Sequence, residues 1–413
     1  MKTDAVIIGG GVAGLSCSRE LSRLGIASTI VEKAPFPGGH VSHYCCKATD
    51  RCQRCGACLL EDVLDYVGSS ERITCMLGAT ISHAERRDGL LSLTVTEQPA
   101  RIYSDRCNLC GECLDVCPVS GALARSPVDN RIYVNTEACL YVKDRSCRRC
   151  EEVCREGAVR LDEAPSEQRI DTASVVVAAG FRPFDASEKP RFGYGLIPGV
   201  ITSLELDQLL RTDNFTPVGR DRQIRSVAFI QCVGSRDAKI GRNYCSRVCC
   251  GYALRLARLL RNRFPGIEPS MFYMDIQTFD RDFERRLEEA RREVRLIRSI
   301  PAEVRSSDDG RPQLIYQGMD EERMIESFDL VVLSVGISPD PTLHALDELL
   351  HIGVNRDGFL GGDEEEVRTD SSGVFIAGAV QGPKSIEQTV FHAIRTAGHV
   401  AAYVRRAEER ENH

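Results

Sequence analysis

Residues 4–34, DAVIIGGGVAGLSCSRELSRLGIASTIVEKA, restrict the fold more than any other stretch of the chain. An apolar run ends in glycine, a tight turn follows, then a segment of helical period and a second apolar run. Gly9, Gly11 and Gly14 fall on G-x-G-x-x-G at the turn. That pattern lets backbone approach a pyrophosphate, which then rests on the N-terminus of the helix. Glu32 closes the second strand, where a carboxylate can take ribose hydroxyls, and Lys33 follows it. Strand, turn, helix and strand in this order predict an α/β domain with a dinucleotide site. The competing reading is a glycine-rich turn that only packs.

The 413 residues suffice for two or three domains, and 42% hydrophobic with 27% charged residues is an ordinary globular composition. A net charge of −7 without a basic tract argues against nucleic acid as a partner. No apolar run reaches the ~18 to 20 residues that span a bilayer. The first strand begins at once, with no signal peptide ahead of it. The expected location is the cytoplasm, with any membrane association indirect, through a partner.

Of nineteen cysteines, seventeen are bunched into residues 45–58, 107–154 and 232–250. Without an export signal, such bunching points to thiolate ligands rather than a disulfide framework. Cys107, Cys110, Cys113 and Cys117 with Pro118 spell C-x2-C-x2-C-x3-C-P, and Cys139, Cys147, Cys150 and Cys154 form a second run with a stretched first gap. In two-cluster ferredoxins the fourth cysteine of each run serves the other cluster. On that rule one [4Fe-4S] cluster takes Cys107, Cys110, Cys113 and Cys154, and the second takes Cys139, Cys147, Cys150 and Cys117. Structural zinc is the rival reading. In HYCCKATDRCQRCGACLL (43–60), Cys52, Cys55 and Cys58 repeat the x2, x2 spacing, but Asp62 stands where a fourth cysteine would be. The missing ligand would come from Cys45, Cys46 or elsewhere; a zinc site or pocket-lining thiols are the alternatives. Cys232, Cys245, Cys249 and Cys250 follow an apolar strand ending at Gln231, with a helix expected from about Arg247. They stand where a pyridine nucleotide domain would place a second glycine loop. They are either ligands or buried thiols that pack as small hydrophobes.

Further segments resemble two-dinucleotide flavoproteins and favour FAD at the first loop. Pro37, Gly38 and Gly39 follow the acidic strand, AAGFRPF (178–184) carries Ala179 and Gly180, and the C-terminal segment carries Gly378, Ala379 and Lys384. There a strand is expected to end at Gly378 and a helix to begin near Ser385, with Gln388 placed for a capping box. In such flavoproteins that helix points its N-terminus at the flavin, where its dipole favours negative charge. His40 and His43 lie near the expected flavin and either tune it or are plain loop histidines.

VVVAAGFRPFD, YGLIPGVITSLELDQLL, FIQCVGSRD, YCSRVCC, LVVLSVGISP and AGAVQGPKSIEQTV, with the first loop and the cysteine runs, together resemble the A-type iron–sulfur flavoproteins of heterodisulfide reductase. The resemblance spans nearly the whole chain and extends to related flavoproteins such as the quinone-interacting membrane-bound oxidoreductase. It implies an oxidoreductase subunit that carries FAD, two [4Fe-4S] clusters and one or two further clusters. Such a subunit would work among other redox subunits and relay electrons toward a disulfide- or quinone-linked acceptor; full-length members of the family can bifurcate them. The resemblance leaves open the cofactors tied to the family's longer N- and C-terminal regions, and bifurcation with them. The implied fold is a two-dinucleotide-binding, thioredoxin reductase-like α/β flavoprotein with an inserted two-cluster ferredoxin α+β module. Its FAD domain comprises residues 1–97, 167–218 and 335–413, the ferredoxin module 98–166, and an NAD-domain-like α/β domain 219–334. The charged helix DFERRLEEARRE (282–293) reads as a solvated face, and the tail RRAEERENH (405–413) is expected to fray. The alternatives are a self-sufficient NAD(P)H-dependent oxidoreductase and a flavin-free scaffold. The missing second glycine loop stands against the first, and the intact first loop against the second.

Overall fold

A computed structural model of the chain describes residues 1–411 except 88, 217, 220–221, 278–282 and 362–365. In the first unit, β1 (Lys2–Ile8), helix α1 (Val12–Arg23) and β2 (Ser28–Glu32) follow the alternation of apolar run and helical period. Helix α2 (Leu59–Ser69) leads to β3 (Ile73–Leu77), which pairs in parallel with β2. β4 (Ala79–Arg87) and β5 (Leu90–Glu97) form an antiparallel pair. The chain then leaves this sheet, makes a small hairpin of β6 (Leu123–Arg125) and β7 (Ile132–Val134) among short helical turns, and returns as β8 (Ser166–Val177).

In the second unit, β9 (Val200–Thr202), helix α3 (Ser203–Arg211), β10 (Ser226–Val233), helix α4 (Cys249–Arg263), β11 (Glu268–Phe272), β12 (Arg295–Ile297) and β13 (Leu330–Val335) build a five-stranded sheet. Its order is β9-β13-β10-β11-β12, parallel throughout. A three-stranded antiparallel sheet of residues 303–327 lies between β12 and β13 in sequence. The chain then rejoins the first unit as β14 (Val374–Ile376) and helix α5 (Ile386–Glu411).

The length of β8 makes the first sheet possible. Residues 166–172 pair with β5, and just beyond them Val175, Val176 and Val177 pair in parallel with β14. β1 lies along the other edge. Small residues let α5 pack closely on α1: Ala393, Ala397, Val400 and Ala401 share a buried cluster with Val12, Leu15 and Leu21.

Several boundaries differ from the expectations. Residues 200–211 belong with the second sheet, not with an FAD segment ending at 218. β9 pairs with β13, and Leu206 and Leu210 of α3 sit in the core of that unit. Thr202 starts α3 with a capping box, its hydroxyl accepting from Glu205 N–H while the Glu205 carboxylate accepts from Thr202 N–H. β10 runs past Gln231 to Val233, and α4 starts at Cys249, two residues after Arg247. The C-terminal strand stops at Ile376, short of Gly378. The charged helix covers Phe283–Ala290, Asp282 lying outside the described residues. It buries Phe283 and Ala290, and its Glu289 pairs with Arg51. The tail, expected to fray, is helical to Glu411; Asn412 and His413 lie outside the described residues.

Candidate functional site

The turn after β1 allows no side chains at two of its glycines. Gly9 has φ +109°, and a Cβ there would stand 2.5 Å from the Ala178 carbonyl oxygen. A Cβ on Gly14 would stand 1.9 Å from the Gly9 carbonyl oxygen. Gly11 caps α1 with no side-chain hydrogen bond, so the first amides of this helix stay available to a ligand. Gly10 N–H donates to Glu32 Oε2 at 2.5 Å and Ala34 N–H to Oε1 at 2.7 Å. Burial raises the Glu32 carboxyl above its usual range, and these amide bonds oppose the rise.

A cavity of about 430 Å³ opens over this turn. Of the expected cofactor residues, Gly9, Gly11, Glu32, Lys33, Gly38, Gly39, Ala179, Gly180, Ala379, Lys384 and Ser385 line it. Gly14, which packs on the Gly9 carbonyl, Gly378, which packs on Ala13, and Gln388 are not part of its lining. Gln388 closes the expected capping box: Ser385 N–H donates to Gln388 Oε1 at 3.0 Å, and Gln388 N–H to Ser385 Oγ at 3.2 Å. His40 and His43 line the same cavity. Burial lowers both imidazoles, and His40 Nε2 donates to the Phe181 carbonyl at 2.9 Å while its ring stacks on Phe181. The open helix end, the glycine cradle and the acidic strand end fit FAD.

In the insert, Cys107, Cys110, Cys113 and Cys154 line one cavity, and Cys117, Cys139, Cys147 and Cys150 line another. This is the crossed grouping expected from the two runs. Burial first, then Cys107, Cys110 and Cys154, push the Cys113 thiol up. Burial and then Cys139, Cys113, Cys117 and Cys147 push Cys150 up to about 12.

The opening stretch gathers four cysteines. Burial and the neighbouring Cys55, Cys52 and Cys46 raise the Cys58 thiol. Cys45 does not join them: it is buried in the second unit's core, and burial and Asp207 push it up to about 12. Cys232, Cys245, Cys249 and Cys250 also meet at the start of α4. Cys249 bonds toward both Cys232 and Cys250, which holds its own thiol up and lowers theirs. Left-handed backbone at Arg54 and Arg247, with φ of 50° and 61°, turns each amide onto a sulfur. Arg54 N–H donates to Cys52 Sγ at 3.4 Å and Arg247 N–H to Cys245 Sγ at 3.3 Å.

Both of these outer groups reach the glycine-lined cavity, through Cys55 and Cys249. Lys47, Tyr44 and Tyr252 line it too, and no sequence motif singles them out. Lys47 is 1% exposed, and its Nζ donates to Asp207 Oδ2 at 2.6 Å and to the Cys45 carbonyl at 2.9 Å. Cys45 N–H donates to Asp207 Oδ1 at 2.8 Å, and the Tyr252 hydroxyl also donates to Asp207. A lysine between cysteines in a loop gives no local sign of burial. Its partner lies 160 positions away.

Residues 3–397 match the family described as "Pyridine nucleotide-disulphide oxidoreductase". The chain is 32% identical to the A-type subunit of the H(2):CoB-CoM heterodisulfide,ferredoxin reductase of Methanothermobacter thermautotrophicus, over 96% of its own length and 63% of that protein's. It is 33% identical to the A-type iron-sulfur subunit of the CoB-CoM heterodisulfide reductase of Methanocaldococcus jannaschii, covering 96% of this chain and 64% of that one. It thus spans under two thirds of the length of these relatives. Among solved structures, Lactococcus lactis thioredoxin reductase overlays with a TM-score of 0.55 at 14% identity, over 98% of this chain and 99% of that one.

Proposed function

Because this chain belongs to the pyridine nucleotide-disulphide oxidoreductase family, and so is an oxidoreductase of the two-dinucleotide flavoprotein fold, we propose that it is an FAD and iron–sulfur relay subunit of a heterodisulfide reductase-like complex. It would carry electrons from a donor subunit to a disulfide- or quinone-linked acceptor. One observation carries this reading: a single cavity is lined both by the dinucleotide turn and by Cys55 and Cys249, from two separate cysteine groups. When bound, FAD supplies exchange between two-electron and one-electron carriers, and [4Fe-4S] clusters supply the one-electron steps.

The chain's own residues have separable tasks. The free N-terminal amides of α1 take the pyrophosphate, and Glu32 holds the turn while facing the ribose side. Lys384 and the capped start of α5 set positive potential at the far end of the cavity. The cysteine sets proposed as ligands are Cys107/Cys110/Cys113/Cys154, Cys117/Cys139/Cys147/Cys150, Cys46/Cys52/Cys55/Cys58 and Cys232/Cys245/Cys249/Cys250. Backbone amides at Arg54 and Arg247 steady the charge on two of the sulfurs. Among the described residues, no group of three or more His, Cys, Asp or Glu is arranged to hold a single metal ion. No helix among the described residues is long and apolar enough to cross a membrane.

The test is iron and acid-labile sulfide per FAD in anaerobically purified protein. Four loaded groups give about sixteen irons per flavin, the insert alone about eight. Protein that binds neither flavin nor iron would sink the proposal.

A second reading, direct oxidation of NAD(P)H, draws on a cavity of about 420 Å³ at the C-terminal ends of β10, β11 and β12. Its lining includes Arg191, Arg236 and Arg298, and ligands of open α/β sheets bind at such strand ends. Rapid bleaching of the flavin by NADH in the isolated chain would favour it. No bleaching leaves the relay.

A further inference from the structure

Strand β7 lies between the glycine-lined cavity and the two cysteine cavities of the insert. Ile132 lines the cavity of Cys107, Cys110, Cys113 and Cys154. Val134 and its cross-strand partner Leu123 line the cavity of Cys117, Cys139, Cys147 and Cys150. Successive side chains of a strand point to opposite faces. Tyr133 therefore turns away from both cysteine cavities, and its ring meets Phe36 at 5.2 Å between centroids. Phe36 is buried, lines the glycine-lined cavity, and meets His43 edge-on at 5.9 Å. The hairpin is also tied down at its turn, where Arg211 of α3 donates to the Pro127 carbonyl at 2.5 Å. Phe36, Tyr133 and the strand thus link the cofactor cavity to both cysteine cavities of the insert.

We propose that the outer face of this hairpin is where the flavin cavity and the insert exchange electrons, with Tyr133 on Phe36 as the positioning residue that sets their separation. The inference rests on the FAD and cluster reading above and adds the route. The exchange makes and breaks no bond: one electron leaves one side and reduces the other, in either direction. Its rate falls steeply as the gap widens, so a side chain that fixes the gap fixes the rate. The contact is aromatic packing, which the phenol hydroxyl does not share. Phenylalanine therefore serves at position 133, and alanine or leucine does not.

The experiment compares anaerobically purified, FAD-loaded protein with its Tyr133→Ala, Tyr133→Leu and Tyr133→Phe variants. Cluster bleaching is followed by stopped flow after rapid reduction of the flavin, alongside iron content, cluster midpoint potentials and flavin fluorescence. The expected result is transfer slowed by up to about a hundredfold in Tyr133→Ala and Tyr133→Leu, the cost of a ~1 Å misplacement of reacting groups. Iron content and potentials should match the parent, flavin fluorescence should rise as quenching by the clusters weakens, and Tyr133→Phe should keep the parent rate. Loss of packing alone would not leave potentials and iron untouched while changing only the rate and the quenching. Should the alanine variant lose its clusters, the leucine variant decides by the same criterion. Parent-like transfer in a fully loaded Tyr133→Leu protein would overturn the inference. Protein with FAD but no iron in the insert would instead overturn the function it rests on, and metal analysis separates the two failures.

Discussion

Cys45 and Cys46 are neighbours in the chain with opposite surroundings. Cys46 is exposed beside Cys52, Cys55 and Cys58, whereas Cys45 is 4% exposed and packs in the second unit's core. Cys45 is held there by its N–H on Asp207, away from the group that Cys46, Cys52, Cys55 and Cys58 form, so Cys46 is the proposed fourth sulfur. Cys46→Ser should therefore lower iron by about four per FAD, the content of one cubane. Cys45→Ser should leave iron unchanged and lower thermal stability. Equal iron loss from both would show that the fourth ligand has been misassigned. The C-x2-C-x2-C spacing was legible to the residue, because ligand geometry dictates it. The choice between adjacent cysteines was not: it depends on which side of the loop Asp207 occupies, and Asp207 is 162 positions away.

Among the elements, helix α5 is fixed by the small residues that pack on α1 and by a buried imidazole. His392 is 7% exposed, and its Nδ1 accepts from Gly378 N–H at 2.9 Å. Burial, reinforced by Lys384 and Arg395, lowers it to about 4 from an ordinary 6.5. The folded chain thus binds this proton less readily than the unfolded chain, so folding loses stability as pH falls. The penalty opens below pH 6.5 and is complete near pH 4, reaching roughly 3 kcal/mol at 1.36 kcal/mol per pKa unit. His392→Gln, which can still accept from Gly378, should flatten the fall in Tm between pH 7 and pH 5. An unchanged slope would mean that other groups govern this acid limb. The start of α5 was legible as a Ser385–Gln388 capping box, and α1 as the helix after the glycine turn. The β9–α3 pair joins the second unit and not the first, a choice that a three-residue strand carries too little pattern to show.

Across the whole molecule, the cysteine loop of the first unit is held by the second. Arg255 Nε donates to the Gln53 carbonyl at 3.0 Å, Arg258 donates to the Gln53 side chain at 2.9 Å, and Lys47 is paired with Asp207 in the interior. Sequence periodicity announced the two units but not this clamp, since each partner looks locally like any charged or amide residue. A buried pair offsets its own desolvation only while both charges remain. Lys47→Met leaves the Asp207 carboxylate buried without its cation and should cost ~3–5 kcal/mol. Adding Asp207→Leu removes that orphaned charge but leaves the Cys45 N–H and Tyr252 hydroxyl, which also donate to Asp207, without an acceptor, at about 1–3 kcal/mol each. The two penalties together are of the same size as the single variant's loss, so the double variant should also fall below the parent in the midpoint of urea unfolding. If Lys47→Met unfolds at the parent's midpoint, the pair does not hold the loop, and the cysteines beside the flavin cavity must be fixed by the arginine contacts to Gln53 instead.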